Sequence, residues 1–271
     1  MGQMKLGMMN SPYRAIEKEF AFARRLGLSF IDFTVEYPVP SPEKIRPERV
    51  KKLAGKYSMD LVGHTCWRLP IAHEFENVRK AAVRDIMRSS DILKRMGVKK
   101  VNVHPDVTVK AALGDKFVRE QHVRSLKEII KHTKKNGQLL MLENGYPFET
   151  FSEFNRVLRA VPGLKLHLDI GHANLPGERN IRDFILKGKS RLEHVHMHDN
   201  MGEDDDHLFV GRGKIDWNRV IRWMGKAGYE GTVTLETFVV RKGKHFKLAN
   251  LKEREKNFRR QLAYLKNLLN S

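Results

Sequence analysis

Short apolar segments alternate with longer amphipathic segments eight times along the chain. The apolar segments predict β-strands near residues 4–8, 29–35, 59–64, 99–104, 138–143, 164–169, 192–198 and 232–236. The amphipathic segments predict helices over 12–26, 43–56, 75–96, 111–136, 150–160, 180–188, 216–227 and 246–269. Glycines lie at the expected ends of four of these helices, at Gly27, Gly97, Gly137 and Gly228. The sequence therefore predicts a chain of repeated strand–helix units.

This alternation favours a closed parallel barrel. Repeated strand–helix units form parallel sheets, and eight units in 271 residues match the usual size of a (β/α)8 barrel. A doubly wound open sheet is the alternative architecture. Because no low-complexity linker divides the sequence, we expect one α/β domain over residues 1–271, a single (β/α)8 TIM barrel.

Several sequence features favour a cytoplasmic location. No apolar run approaches the roughly 18 residues that a membrane-spanning helix needs, so no membrane association is expected. The first residues lack the apolar segment of a signal peptide. Cys66 is the only cysteine, which excludes an intrachain disulfide and fits a reducing compartment.

The charge balance is strongly basic. Lysine and arginine number 51 against 32 acidic residues, which gives a formal net charge of +19. Such an excess favours polyanionic or phosphorylated partners. It fits equally well with solvated basic surfaces, such as the polar face predicted for the last helix, so charge alone does not identify a partner.

Several predicted strands carry polar side chains on one face only. In residues 101–104, Val101 and Val103 alternate with Asn102 and His104, and successive side chains of a strand point to opposite faces. If the valines pack under the helices, the polar residues face the barrel interior. Six consecutive strands end in a polar residue of this kind, at His64, His104, Glu143, Asp169, His196 and Glu236. These side chains are predicted to meet at the C-terminal mouth, where barrel enzymes keep their catalytic groups.

This group of side chains predicts a metal site. A single inward histidine or glutamate is usually a hydrogen-bonded core residue, but several buried carboxylates together require cations or protons nearby. A mixture of imidazole and carboxylate groups suits Zn²⁺ or Mn²⁺. His172 follows Asp169 by three residues, and the spacing of Asp205 and His207 places both on one side of an extended segment. These last residues could hold additional ions.

Five motifs resemble one known family. They are L-E-N-G at 142–145, D-I-G-H-A-N at 169–174, H-V-H-M-H-D-N at 194–200, D-D-H with G-R-G-K-I-D-W within 205–217, and L-E-T at 235–237. The pattern resembles the xylose isomerase-like TIM-barrel superfamily over residues 4 to 260. That superfamily contains sugar and sugar-phosphate isomerases and epimerases. It also contains apurinic/apyrimidinic (AP) endonucleases of the endonuclease IV type.

The two branches imply different metal sets. In the isomerase and epimerase branch, the resemblance implies one ion held by Glu143, Asp169, His196 and Glu236, with His172 near the substrate. In the endonuclease branch, it implies three zinc ions held by the equivalents of nine ligands, which are His64, His104, Glu143, Asp169, His172, His196, Asp205, His207 and Glu236. Suitable residue types fill all nine positions, so the ligand set leaves open one to three divalent ions, zinc or manganese.

Other features favour the sugar branch. D-I-G-H at 169–172 resembles sugar isomerase relatives and differs from the D-T-C-H typical of the nucleases. The segment 196–199 also departs from the nuclease pattern H-x-N-D, and the loop over 196–205 is shorter than in the nucleases. The resemblance therefore implies a metal-dependent isomerase or epimerase acting on a sugar or sugar phosphate. A zinc-dependent AP endonuclease acting on abasic DNA is the alternative, and a metal-binding barrel without turnover is a third class.

The isomerase or epimerase hypothesis assigns roles to individual residues. Glu143 and Glu236 are the predicted catalytic acid and base, because they approach from opposite sides of the mouth and could exchange a proton next to a metal-bound carbonyl. Substrate contacts are expected from His172, Trp67, His198 and Arg212. Of these, Trp67 follows His64 closely and could wall a sugar pocket, and Arg212 stands where relatives often carry an acid.

Overall fold

The structure is a computed structural model that describes residues 4–109, 113–237, 239–242, 245–248 and 250–270. The two ends of the predicted 1–271 domain and the first residues of the predicted 111–136 helix therefore lie outside the described residues. No helix in these ranges combines the length and the apolar character needed to cross a bilayer.

Eight parallel strands form a closed barrel. Their bounds are β1 Lys5–Met9, β2 Phe30–Val35, β3 Asp60–Thr65, β4 Lys100–Val103, β5 Leu139–Glu143, β6 Lys165–Asp169, β7 Leu192–Met197 and β8 Thr232–Leu235. Each strand pairs with the next in sequence, and β8 closes the ring by pairing with β1 in the register Gly7 to Thr234. The predicted (β/α)8 TIM barrel is confirmed, and the open doubly wound sheet is excluded.

Helices surround this barrel in the predicted order. Their bounds are α1 Ile16–Arg25, α2 Pro47–Tyr57, α3 Glu76–Arg95, α4 Asp115–Lys135, α5 Phe151–Ala160, α6 Ile170–Asn174, α7 Glu178–Gly188, α8 Trp217–Lys226 and α9 Leu251–Asn270. The four glycines predicted to end helices have left-handed backbones, with φ between +66° and +88°, at Gly27, Gly97, Gly137 and Gly228. Their lack of a Cβ atom lets the chain leave each helix and turn into the next strand.

Two local elements differ from the sequence prediction. An antiparallel hairpin of β9 (Val239–Lys242) and β10 (His245–Leu248) follows the barrel, so the last helix starts at Leu251 and not at residue 246. The prediction was wrong because the apolar residues of 239–248 suit alternation with a period of two as well as helical spacing. The short helix α6 was also not predicted. It begins directly after β6, where the Asp169 side chain accepts a hydrogen bond from the backbone N–H of His172.

Apolar side chains form one layer outside the barrel and a smaller one inside it. Those on the outer face of the barrel pack beneath the helices in one continuous core, which includes Val101, Val103, Leu166 and Val195. Inside the barrel, Phe30, Val62 and Met141 form a small apolar cluster at the N-terminal end. Polar side chains occupy the interior above this cluster, as the strand parity predicts. The polar interior therefore opens toward the C-terminal mouth, above the apolar cluster.

Candidate active site

The predicted strand-end residues meet at the C-terminal mouth. They line or border a cleft of about 460 Å³, whose walls include Tyr13, Thr34, Glu36, Trp67, Arg68, His104, His172 and Asp205. His64 lies in β3, Glu143 and Asp169 end β5 and β6, and His196 lies in β7. Since parallel strands of a barrel all present their C-terminal ends at one rim, residues distant in sequence share this cleft.

Glu143, Asp169 and His196 form a first group of potential metal ligands at the mouth. One potential ligand atom from each lies within 4.8 Å of the other two. Glu236 joins them, because its Oε2 lies 2.9 Å from Nδ1 of His196. Oε1 of Glu143 and Oδ2 of Asp169 are buried and have no hydrogen-bond donor among the described residues. Buried carboxylate oxygens without donors are costly, so this group fits a divalent cation.

The second group is His64, His104 and Glu143. The Nε2 atoms of His64 and His104 are 2.7 Å apart. Oε2 of Glu143 lies 3.3 Å from Nε2 of His104 and also accepts a 2.7 Å hydrogen bond from the Asn102 side-chain amide. Two imidazole nitrogens and a carboxylate oxygen therefore converge on one point, which is a donor set typical of zinc sites.

The third group is His172, His198, Asp205 and His207. Oδ2 of Asp205 lies 3.1 Å from Nε2 of His172 and 2.9 Å from Nε2 of His207. Nδ1 of His172 is 2.9 Å from the backbone carbonyl oxygen of Asn144 and can donate to it, which leaves Nε2 directed at Asp205. His207 has φ +47°, a left-handed conformation uncommon for a residue other than glycine. Such backbone strain persists where the surrounding structure fixes it, often at functional sites.

Glycine is required in the D-I-G-H motif. A Cβ atom on Gly171 would lie 1.9 Å from Cε1 of His198. The missing side chain lets the His198 ring pack against α6, with its Nε2 atom 3.0 Å from Oδ1 of Asp169. Gly171 therefore allows the third group to pack directly against the first.

The carboxyl groups differ in their ionisation. Burial raises the pKa of Glu143 to about 7, although His196 and His64 lower it in part. Burial would also raise the pKa of Glu236, but the neighbouring His196 and His207 hold it well below its usual range. One glutamate at the mouth is thus poised near neutral pH, while the other stays ionised.

The imidazoles respond to the same surroundings. Burial opposes protonation of His196, but the carboxylates of Glu236 and Asp32 raise its pKa well above the usual value. For His104, burial and the nearby His64 ring lower the pKa well below that value. The carboxylates of this site therefore attract positive charge, either as protons on selected histidines or as bound cations.

Sequence reasoning missed two acidic residues, Glu36 in the cleft wall and Asp32 beneath it. Asp32 lies in β2, a strand whose six residues are all buried. Burial alone would raise the pKa of this carboxyl, but hydrogen bonds from His194 and His196, together with the nearby His64 ring, hold it well below its usual range. The available signal was a single charged residue in the otherwise apolar run F-I-D-F at 30–33.

The four predicted substrate contacts occupy different places. His172 and Trp67 line the cleft, and the Arg68 guanidinium stacks 4.7 Å from the centre of the Trp67 ring. His198 is fully buried against Asp169, and the cleft wall does not include it. Arg212 is exposed and lies outside the cleft wall.

The position of Arg212 follows from how its loop is anchored. The Asp199 carboxylate accepts hydrogen bonds from the backbone N–H of Gly211 and from the indole N–H of Trp217. A Cβ atom on Gly213 would lie 2.2 Å from an oxygen of the same carboxylate. The glycine backbone therefore packs on the barrel, and the intervening arginine is exposed.

Comparison with known proteins agrees with this geometry. Residues 20–268 match the family described as the xylose isomerase-like TIM barrel. The chain belongs to the xylose isomerase-like TIM-barrel family.

Relatives of this xylose isomerase-like barrel include proteins with and without a known activity. It is 27% identical over 222 residues to an uncharacterised protein of Methanocaldococcus jannaschii, covering 79% of this chain and 85% of that protein. It is 25% identical over 255 residues to fructoselysine 3-epimerase of Escherichia coli O157:H7, covering 86% of this chain and 90% of the epimerase. The crystal structure of a D-tagatose 3-epimerase-like protein superposes with a TM-score of 0.84 at 22% identity, covering 98% and 97% of the two chains.

Proposed function

We propose that this protein is a divalent-metal-dependent isomerase or epimerase of a sugar or sugar phosphate, acting as a single barrel domain. The observation that carries the proposal is the position of Glu143 and Glu236 at one mouth, beside the donor group of Asp169 and His196. The similarity to fructoselysine 3-epimerase and to a D-tagatose 3-epimerase-like structure supports it.

Four side chains would hold the ion: Glu143, Asp169, His196 and Glu236. The donorless oxygens of Glu143 and Asp169 support this assignment, and the mixed imidazole and carboxylate set suits Zn²⁺ or Mn²⁺. When bound, such an ion polarises a sugar carbonyl and its neighbouring hydroxyl.

The two glutamates would carry out the proton transfers. One glutamate, as a carboxylate, takes the proton from the carbon next to the carbonyl, and the other, as a protonated carboxyl group, returns a proton. Return to the opposite face of the same carbon gives an epimer, whereas return to the neighbouring carbon gives an aldose–ketose isomer. Burial raises the pKa of Glu143 to about 7 before any cation binds, and a bound cation would lower it.

The cleft suits a small polar molecule. Its volume of about 460 Å³ lies within the range of small-molecule sites. Tyr13 and Trp67 supply aromatic walls, and Arg68 and Glu36 add charged groups to the lining. A sugar presents apolar C–H faces and hydroxyls, so it would use both kinds of wall.

A second candidate is a multi-zinc phosphodiesterase acting at abasic sites in DNA. The observation that favours it is the convergence of His64, His104, His172, Asp205 and His207 into two further donor groups beside the first. A single ion held by the first group would leave these two groups without a metal role. The net charge of +19 also suits a nucleic-acid partner.

One pair of assays separates the two candidates. The protein, loaded with Mn²⁺ or Zn²⁺, is incubated in deuterated water with D-tagatose, D-fructose and fructoselysine, and each sugar is analysed by NMR for deuterium at C3 and for new isomers. The same preparation is incubated with abasic duplex DNA over a salt series. Deuterium uptake without DNA cleavage supports the proposal. Cleavage that weakens steeply with salt, without deuterium uptake, supports the nuclease.

A further inference from the structure

Asp32 occupies the centre of the barrel beneath the mouth. Its side chain is fully buried, and it is absent from the cleft wall, so it has no direct access to a substrate. The geometry points to Asp32 as a positioning residue that orients His196 for ion binding and holds the His64 ring beside it. This inference rests on the metal site of the proposed function.

One carboxylate contacts both imidazoles. Oδ2 of Asp32 lies 2.7 Å from Nε2 of His196, and Oδ1 lies 3.7 Å from Nδ1 of His64. The two rings are stacked, with centres 5.4 Å apart and planes inclined by 19°. A single acidic group therefore lies at the same edge of two parallel histidine rings.

The contacts with Asp32 determine which nitrogen each ring offers to the mouth. The N–H of His196 Nε2 can donate to Asp32, which leaves Nδ1 facing Glu236 at 2.9 Å and Asp169 at 3.8 Å. In His64, Nδ1 faces Asp32, so Nε2 is the atom directed at the second donor group. A carboxylate on the far nitrogen of a metal-binding histidine fixes the tautomer and increases the basicity of the ligating nitrogen.

Two further side chains hold the Asp32 carboxylate. Its Oδ2 lies 3.1 Å from Nε2 of His194 and accepts a hydrogen bond from the Thr234 hydroxyl at 3.2 Å. Nδ1 of His194 lies 2.6 Å from the hydroxyl oxygen of Thr232. Side chains of β7 and β8 thus fix a carboxylate of β2, and the carboxylate in turn fixes one ring of β3 and one of β7. The position of Asp32 couples the first two donor groups.

The first test compares ion affinity in matched variants. Asp32→Asn keeps the shape of the side chain and removes its charge, and Asp60→Asn makes the same change in an exposed ion pair with Lys5 at the start of β3. Zinc dissociation constants are measured by competition with a chromophoric chelator. We expect Asp32→Asn to weaken zinc binding 10- to 100-fold, the usual effect of losing such a partner, and Asp60→Asn to leave it unchanged. Equal affinity of Asp32→Asn and the unmodified protein would overturn the inference.

The second test needs no substitution, so it stands even if Asp32→Asn fails to fold. Histidine ¹⁵N shifts of the zinc-loaded protein report which ring nitrogen carries the proton. We expect His196 to be protonated at Nε2 and to bind the ion through Nδ1, and the reverse arrangement would refute the role of Asp32. A folded protein that binds no zinc would refute the metal site itself. Neither measurement uses a sugar, so a protein that binds zinc but does not epimerise sugars would still give the expected results.

Discussion

Oε2 of Glu236 lies 2.9 Å from Nδ1 of His196, across the junction of β7 and β8. The same nitrogen is 3.8 Å from Oδ2 of Asp169, the carboxylate that ends β6. Three neighbouring strands therefore direct two acidic groups and one imidazole at a common point. A proton on His196 Nδ1 pairs with Glu236 and leaves Oδ2 of Asp169 without a donor, and a divalent ion at that point would replace the proton.

Removing the Glu143 carboxylate should abolish turnover. Glu143→Gln is nearly isosteric but cannot exchange a proton, so we expect kcat for the epimerised sugar to fall by about 10²- to 10⁴-fold. The control is Glu149→Gln, which alters an exposed glutamate in the loop after the same strand. Circular dichroism checks that both variants stay folded. A Glu143→Gln enzyme with a near-normal kcat would exclude Glu143 from the catalytic step.

Divalent ions should stabilise the fold. An ion that binds only the folded state raises the free energy of unfolding by about 2.7 kcal/mol at a concentration 100 times its dissociation constant. We therefore expect Tm to rise on addition of Zn²⁺ or Mn²⁺ to protein stripped with a chelator. Asp169→Asn should reduce this rise, because it removes one of the donorless buried oxygens. A Tm independent of both ions would argue against the site.

Trp67 should contribute to substrate binding and leave the chemical step unaffected. Its ring is 40% exposed and forms part of the cleft wall. We expect Trp67→Ala to raise KM by about fivefold, or ~1 kcal/mol of lost apolar contact, with kcat nearly unchanged. Phe75→Ala is the control, since Phe75 is 67% exposed and lies outside the cleft wall. An unchanged KM in Trp67→Ala would show that the tryptophan packs at the rim of the cleft without contributing to substrate binding.

Stability should fall below neutral pH partly because of His122. This ring is fully buried on α4, where Nε2 accepts from the Asp106 backbone N–H and Nδ1 lies 2.7 Å from the Val118 carbonyl oxygen. Burial lowers its pKa to about 4, below the value of about 6.5 expected in the unfolded chain. Between these values the unfolded state binds the proton and the folded state does not, so acid favours unfolding.

Urea unfolding at pH 7 and pH 5 measures this effect. His122 should account for about 2 kcal/mol of the loss in unfolding free energy between the two pH values. The loss should therefore be smaller by that amount in His122→Gln than in the unmodified protein. His132→Gln, a change at a half-buried histidine of the same helix, is the control. Equal losses in the unmodified protein and His122→Gln would contradict the assignment.

The last helix should depend on one buried ion pair. The Arg254 guanidinium donates to both carboxylate oxygens of Glu19, at 2.7 and 2.9 Å, and both side chains are buried. Arg254→Met leaves the Glu19 charge without its partner and should lower the unfolding free energy by about 3–5 kcal/mol. Arg259→Met removes a more exposed pair with Glu255 on the same helix and should cost less than about 1 kcal/mol. Similar losses of unfolding free energy in both variants would show that the buried pair stabilises the fold no more than the exposed pair does.

Local patterns in the sequence were enough to predict the barrel and the strand-end residues. Strand parity depends only on the alternation of side chains, so Asn102, His104 and Asp169 could be assigned to the interior without knowledge of distant contacts. The ends of four helices could similarly be predicted from the position of a single glycine at each. Both inferences use information within a few residues of each position.

Contacts between distant segments could not be predicted in this way. Asp32 belongs to the site because β2 lies across the barrel from β7, and no local pattern encodes that neighbour. The burial of His198 depends on the absence of a side chain at Gly171, and the exposure of Arg212 depends on the contacts of Asp199 with the same loop. Each of these facts follows from tertiary packing between separate strands and loops.

Elemental analysis of the purified protein shows whether the barrel mouth holds a divalent ion. The protein is dialysed against metal-free buffer after loading, and Zn and Mn are counted per chain in the unmodified protein and in Asp169→Asn. We expect at least one tightly bound divalent ion in the unmodified protein and a lower content in the variant. A folded, unmodified protein that retains no divalent ion would contradict it.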